Sequence, residues 1–336
     1  MNRRRLLRTL AGCTATALLP HAAVAMTSRR FRIAMILWRG ETAIEWGFRQ
    51  QLAELGLAVD YEVHDLAQDF ARLPSILAEI KRTRPDLVYT WGTGITLQTV
   101  GSWNAVDPSR HIVDIPVVFA PVGSPQGSGL QPPPGAPPRP NVTGVSHIAP
   151  LSAQINAMRA YFKLQRLGIV YNPSEENSVV NVEQLRASAA PMAFELLEAP
   201  VPMTADGAPD PAAIPRLVAD LARRGAQMLY IGPDNFIGAN RTILADSGIR
   251  AGIPCFTATE LEIRDGQAMI GLVSRYEAVG RLAATKAKRI LVDGDSPSVV
   301  PIETLKHFSY IIRLPVALKL KLYPPLPLLD YAEVIR

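Results

Sequence analysis

The feature that most constrains this chain is an alternation. From Phe31 onward, short apolar runs rich in β-branched residues are separated by longer segments whose apolar residues recur at helical spacing. Phe31 to Leu37, Val59 to His64, Leu87 to Trp91 and Pro116 to Ala120 are predicted strands. Thr42 to Leu55, ending at Gly56, and Leu73 to Lys81 are the predicted helices between them. A stretch dense in proline and glycine, Gly123 to Pro140, interrupts the rhythm and reads as a long loop. The alternation then resumes. Ala149 to Phe162, Val182 to Ala190 and Ala212 to Arg224 read as helices, the last with Ile214, Leu217, Val218 and Leu221 on one face. Leu167 to Tyr171, Met192 to Glu198, Met228 to Ile231 and Pro254 to Thr257 read as strands. Tyr276 to Val292 reads as a long helix stopped by Asp293-Gly294. Strands joined through helices imply βαβ units and parallel sheets, hence an α/β fold. With 336 residues the chain exceeds the usual size of one core, and two domains are expected.

Residues 1–25 read as a targeting segment. A basic start, Asn2 to Arg8, is followed by an apolar stretch and a small-x-small site at Ala23-Val-Ala25. The Arg3-Arg4 pair followed by Leu6-Leu7 resembles a twin-arginine signal, with a plain secretory signal as the alternative. Leu10-Ala-Gly-Cys13 has the form of a lipobox, but Arg8 leaves too short an apolar run before it. The formal net charge of +5 belongs mostly to this leader. Without its four arginines, 31 basic side chains face 30 acidic ones, so a nucleic-acid partner loses its electrostatic support. Cys255 is then the remaining cysteine, so no internal disulfide is expected, and its setting after Ile253-Pro254 fits a small buried hydrophobe. No later segment has the apolar length of a membrane span.

Catalytic chemistry finds little purchase. The five histidines do not fall at metal-site spacing, and there is no Gly-x-Ser-x-Gly and no Walker loop. Gly92-Thr-Gly94 after a strand is a weak phosphate signal without a third glycine. No enzyme activity, metal or cofactor is expected.

One stretch points to binding instead. Leu167 to Tyr171 ends at Asn172-Pro173, and Ser174 with Asn177 forms a capping pattern ahead of a helix. This places Asn172, Ser174, Glu175, Asn177 and Ser178 at the carboxyl edge of a sheet, where open α/β sheets bind ligands. The run Tyr171 to Ser178, preceded by Asn141-Val-Thr-Gly-Val-Ser146, resembles a paired signature of the substrate-binding proteins of ABC transporters. Tyr230-Ile-Gly-Pro-Asp-Asn235, the segment Gly271 to Gly294 and the tail Leu322 to Leu329 extend the resemblance over the mature chain. These are type I periplasmic binding proteins, some of which bind aromatic amino acids.

The resemblance implies a two-lobed fold, each lobe a parallel sheet flanked by helices, with three crossings between lobes. Asn141 to Gly144 is expected to be the first crossing, Gln267 to Val273 the return, and a third is expected near Ile302. The lobes would then span 26–143 with 272–302, and 144–271 with 303–336. Where the resembled family carries an Asp before the proline of its first-lobe loop, this chain has Ala120.

A cleft needs polar and aromatic groups at facing strand ends. The first-lobe candidates are Trp38, Arg39, Thr93 and Gly94. The second-lobe candidates are Asn172, Ser174, Glu175, Asn177, Ser178, Asp234, Asn235 and Thr257, with Thr259 and Glu260 beside them, and Tyr276 follows the return crossing. Glu175 and Asp234 would receive an ammonium group, and Arg39 or the amides near Ser178 a carboxylate, which favours an amino-acid-like zwitterion. Trp38 or Tyr276 would stack on its side chain. The expected function is periplasmic capture of a small organic solute, such as an amino acid, and its delivery to an ABC permease. A sensory subunit of the same fold, serving a membrane receptor, is the alternative.

Overall fold

A computed structural model describes residues 29–336. The proposed leader, its twin arginines and Cys13 lie outside the described residues. The chain opens with β1 (Phe31–Leu37), α1 (Ala43–Glu54), β2 (Val59–Asp65), α2 (Leu73–Thr83), β3 (Leu87–Thr90), α3 (Gly92–Val100), β4 (Val117–Val122) and β5 (Val142–Ser146). It continues with α4 (Leu151–Arg159), β6 (Arg166–Tyr171), α5 (Glu176–Ala189), β7 (Glu195–Pro200), α6 (Ile214–Arg223) and β8 (Met228–Ile231). Next come α7 (Asn235–Ala239), α8 (Arg241–Arg250), β9 (Cys255–Thr257), α9 (Glu260–Arg264) and β10 (Ile270–Val273). The rest is α10 (Tyr276–Leu291), β11 (Glu303–Thr304), β12 (Ser309–Arg313), α11 (Leu314–Lys319), α12 (Leu326–Leu329) and β13 (Glu333–Ile335).

These strands form two sheets, ordered β11-β5-β4-β3-β1-β2 and β13-β12-β10-β9-β8-β6-β7. The first is parallel throughout, and the second is parallel except where β12 runs against β10. The central strands are buried on both faces, as a sheet covered by helices requires, which is why they read as continuous apolar runs. Helix α1 starts at a true capping box: Ile44 N donates to Thr42 Oγ1, and Thr42 N donates to Glu45 Oε2.

Helix α10 closes the first sheet by lying against α1 at backbone contact. A Cβ built on Gly280 would sit 1.8 Å from the Ile44 carbonyl oxygen, and one on Gly47 would sit 2.3 Å from that of Glu277. Only hydrogen at both positions allows the crossing.

Several boundaries differ from the sequence reading. Asn141 to Gly144 is not a crossing, because Val142–Ser146 is an inner strand paired to β4 and β11. Gln267 to Val273 is likewise not a crossing, since Ile270–Val273 lies between β9 and β12. Glu303–Thr304 pairs with β5, so the first sheet extends past Ile302. These segments are short and extended, and sequence alone does not distinguish an extended linker from an inner strand. Ser174 does not cap α5: Glu175 is the N-cap residue, and the Ser174 hydroxyl donates to Asn172 Oδ1 at 2.8 Å. Strand β7 starts three residues late, because Phe194 N still donates to the Ala189 carbonyl and Ala193 takes a left-handed φ of 52°. Gly92-Thr-Gly94 opens helix α3.

Candidate ligand-binding cleft

The carboxyl ends of the two sheets face each other across a small cavity of about 40 Å³. From the first sheet side it is lined by Arg39 after β1, Trp91 to Thr93 at the start of α3, and Pro121 and Gly123 at the end of β4. From the other side come Asn177, Pro233 to Asn235, Gly238, Thr259 and Glu262. His147 and Tyr276 stand at the ends of the segments that join the two halves. The space is about that of one water in the liquid, so a solute of amino-acid size enters only as the halves part or by extending outward.

The second-lobe loops are tied to each other by their own acids. Asp234 Oδ2 accepts from Asn172 N at 2.8 Å and from the Ser178 hydroxyl at 2.6 Å, while its Oδ1 accepts from Ile237 N at 2.8 Å. Glu175 accepts from Asn235 N at 2.9 Å through Oε1. Asn177 Nδ2 donates to the Pro233 carbonyl at 2.7 Å. Burial raises both acids above the usual carboxylate range, and the neighbouring Asp234 helps bring Glu175 to about 7.

Three groups on the cavity wall have polar capacity to spare. Trp91 Nε1 and His147 Nδ1 are buried without a hydrogen-bond partner. Burial lowers His147 to about 4, so its ring is neutral at neutral pH. Glu262 is 4% exposed, and its Oε2 accepts from the hydroxyls of Thr259 and Thr257, the latter at 3.4 Å. Its Oε1 takes no hydrogen bond among the described residues. Burial also raises Glu262, opposed by Thr259 and by the charges of Arg39 and Arg241.

Residues 34–335 match the family model described as "ABC transporter substrate binding protein". The chain belongs to that family. A tyrosine-binding protein of Clostridioides difficile is 25% identical over 279 residues, covering 80% of this chain and 73% of that one. A Streptococcus ABC domain solved in complex with L-Trp superposes with a TM-score of 0.74 at 21% identity, over 90% of this chain and all of that one. A conserved domain protein of Vibrio cholerae superposes with a TM-score of 0.76, also at 21% identity, over 91% of this chain and 99% of that one. At that identity the structures establish the two-lobed α/β architecture. A carbohydrate transporter of Acidothermus cellulolyticus, solved with myo-inositol, shares the fold more loosely, with a TM-score of 0.53, 14% identity and cover of 87% and 98%.

This substrate-binding protein is thus a non-catalytic carrier of a small molecule, and its family works with ABC permeases outside the cytoplasmic membrane. Among the described residues no helix is long and apolar enough to cross a membrane.

The binding protein brings Arg39, Thr93, Asn177, Asp234, Asn235, Thr259 and Tyr276 of the expected residues to the cavity. The others support it from outside. Trp38 packs its ring on Phe70 at 4.7 Å between centroids, and a Cβ on Gly94 would meet that same Phe70 ring at 2.9 Å. Thr257, fully buried, donates its hydroxyl to the Thr259 carbonyl beneath Glu262. Asn172, Ser174 and Ser178 act within the loop tie, and Glu175 accepts from the backbone amide of Asn235. Asp234 reaches the wall, but all the hydrogen bonds recorded for its oxygens come from the protein.

Sequence reasoning missed Trp91, His147 and Glu262. Trp91 was legible as the last residue of a strand ahead of Gly-x-Gly. His147 carries no metal-site spacing in the sequence, and its place directly after a sheet strand is the signal that marks it.

Proposed function

We propose that this protein captures an amino acid in the periplasm and delivers it to an ABC permease. The observation that carries the reading is the arrangement of spare polar atoms around one cavity. The open Glu262 Oε1 provides an acceptor for an ammonium group, backed by Asn177. The Trp91 indole N–H and the first amides of α3, which precede that helix's own hydrogen bonds, provide donors for a carboxylate. Tyr276 and the Trp91 ring supply apolar surface beside them. The tyrosine-binding relative and the L-Trp complex are in keeping with this class of ligand.

In this reading residues 1–25 direct export, in the twin-arginine manner, and are removed near Ala25. The lobes follow the sheets: residues 29–146 with 276–304 form one, and 151–273 with 309–336 the other, joined by three crossings. The test is thermal denaturation of the mature protein against the proteinogenic amino acids, myo-inositol and ribose. A ligand at 100 times its Kd adds about 2.7 kcal/mol of stability, a clear rise in Tm. Stabilisation by at least one L-amino acid is expected. Stabilisation by a sugar with no response to any amino acid overturns the reading.

A further inference from the structure

A second pocket of about 600 Å³ shares Arg39 and Tyr276 with the inner cavity. Four arginines line it: Arg39, Arg241, Arg264 and Arg275. Two of them are neutralised in place. Glu260 Oε1 lies 3.1 Å from Arg264 Nε and 2.9 Å from Arg275 Nε. Glu333 Oε2 lies 2.6 Å from Arg264 Nη2 and 2.7 Å from Arg275 Nη1.

Arg39 and Arg241 differ. Neither has a carboxylate oxygen within 4.0 Å among the described residues. The Arg39 guanidinium lies over the Trp91 ring at 5.7 Å. Arg241 donates through Nη1 to the Gly238 carbonyl at 2.8 Å, and its Nε is buried with no partner. Asp265 on the same wall is exposed to solvent. Arg39 follows β1 of one sheet, and Arg241 begins α8, packed on the other. Drawing the halves together over a neutral side chain would leave both cations partly desolvated with no neutralising partner beyond the single buried Glu262. An anion between them would be held from both sides, through the planar donor sets that suit a carboxylate. The inner cavity is too small for a whole solute, and the arginine-lined space that shares Arg39 and Tyr276 with it is where a solute seated there can extend.

We propose that the solute carries a second carboxylate, beyond its amino-acid head, that bridges Arg39 and Arg241 across the cleft. The inference rests on the amino-acid reading above and narrows it to acidic amino acids. It is tested by calorimetry on the mature protein with matched pairs: L-glutamate against L-glutamine, and 4-carboxy-L-phenylalanine against L-phenylalanine. The acidic member of at least one pair is expected to bind tenfold or more tighter. Arg241→Gln should erase that preference while moving the affinity of the neutral member less than about threefold, and Arg241→Lys should keep part of it. Melting curves of both variants check that they fold. Equal or tighter binding of the neutral members, unaffected by Arg241→Gln, overturns the inference and leaves the amino-acid reading standing. Binding of glutarate with no amino acid bound keeps the anion bridge and overturns the amino-acid head. Binding of none of these compounds overturns the inference, and the amino-acid reading then stands or falls on the thermal screen of the full proteinogenic set.

Discussion

The two rims of the cleft are built on opposite plans. On the second-lobe rim, Glu175, Asp234 and Asn177 direct their polar atoms at backbone groups of the same rim, so loops about 60 residues apart in sequence form one tied unit. Facing it, Trp91 and His147 keep a polar atom unmatched, and Arg39 has no carboxylate oxygen within 4.0 Å among the described residues. A carboxylate in a cleft is therefore not by itself a ligand contact. What matters is whether its oxygens are already taken. By that criterion Asp234 has its oxygens engaged by the protein, and Glu262, with one oxygen in use and one open, is the acid that the proposed function draws on.

The sharpest way to break the contrast is Asp234→Ala. It leaves Asn172 N, Ile237 N and the Ser178 hydroxyl without their acceptor, and should lower stability by about 3 kcal/mol. In Tm that is a drop of roughly 6–12 °C, measured by calorimetry. A change under about 0.5 kcal/mol would show the tie to be incidental. Glu262→Gln should do the reverse. The amide oxygen still accepts from Thr259, so stability should hold, while amino-acid affinity falls by about 2 kcal/mol, near thirtyfold, as a charged hydrogen bond is lost. If affinity survives, the ammonium group sits elsewhere. Trp91→Phe removes one N–H and keeps a ring, and should weaken binding by about 1 kcal/mol, or fivefold, with no change in Tm.

The smallest effect lies in pH dependence, where the rims have opposite signs. Glu175 is held above its unfolded value, at about 7, so its contribution to stability is complete below the unfolded carboxylate range and is lost as pH rises through 7. His147 is held below its unfolded value, at about 4, so its contribution is present above 6.5 and is lost as pH falls toward 4. Chemical denaturation across this range should show Glu175→Gln removing only the loss that develops between the ordinary carboxylate range and about pH 7, and His147→Gln removing only the loss between about pH 6.5 and 4. A Glu175→Gln profile that matches the wild type would place that acid in an ordinary solvated setting.

These contrasts mark how far the sequence could be read. The βα alternation and the Thr42–Glu45 start of α1 were visible because each depends on residues within one or two turns. The strand end at Asn172 was visible for the same reason. Which oxygens of Glu175 and Asp234 remain free was not, because their donors come partly from a loop distant in sequence. Glu262 sits in the five-residue helix α9 rather than at a strand end, so no periodic signal marks it. The crossings were misplaced because β5, β10 and β11 are only five, four and two residues long.

The glycine contact between α1 and α10 also sets a timetable. The helix that covers the first sheet is encoded after strands β6 to β10 of the second, so the ribosome must deliver residues 147–275 before that surface can be sealed. At about 5–20 residues per second this delay is on the order of ten seconds. For that interval Ile44 and Phe48 of α1, fully buried in the finished protein, lack their cover. A nascent chain in that state presents the kind of apolar surface that chaperones hold, and release into the native form awaits synthesis of α10.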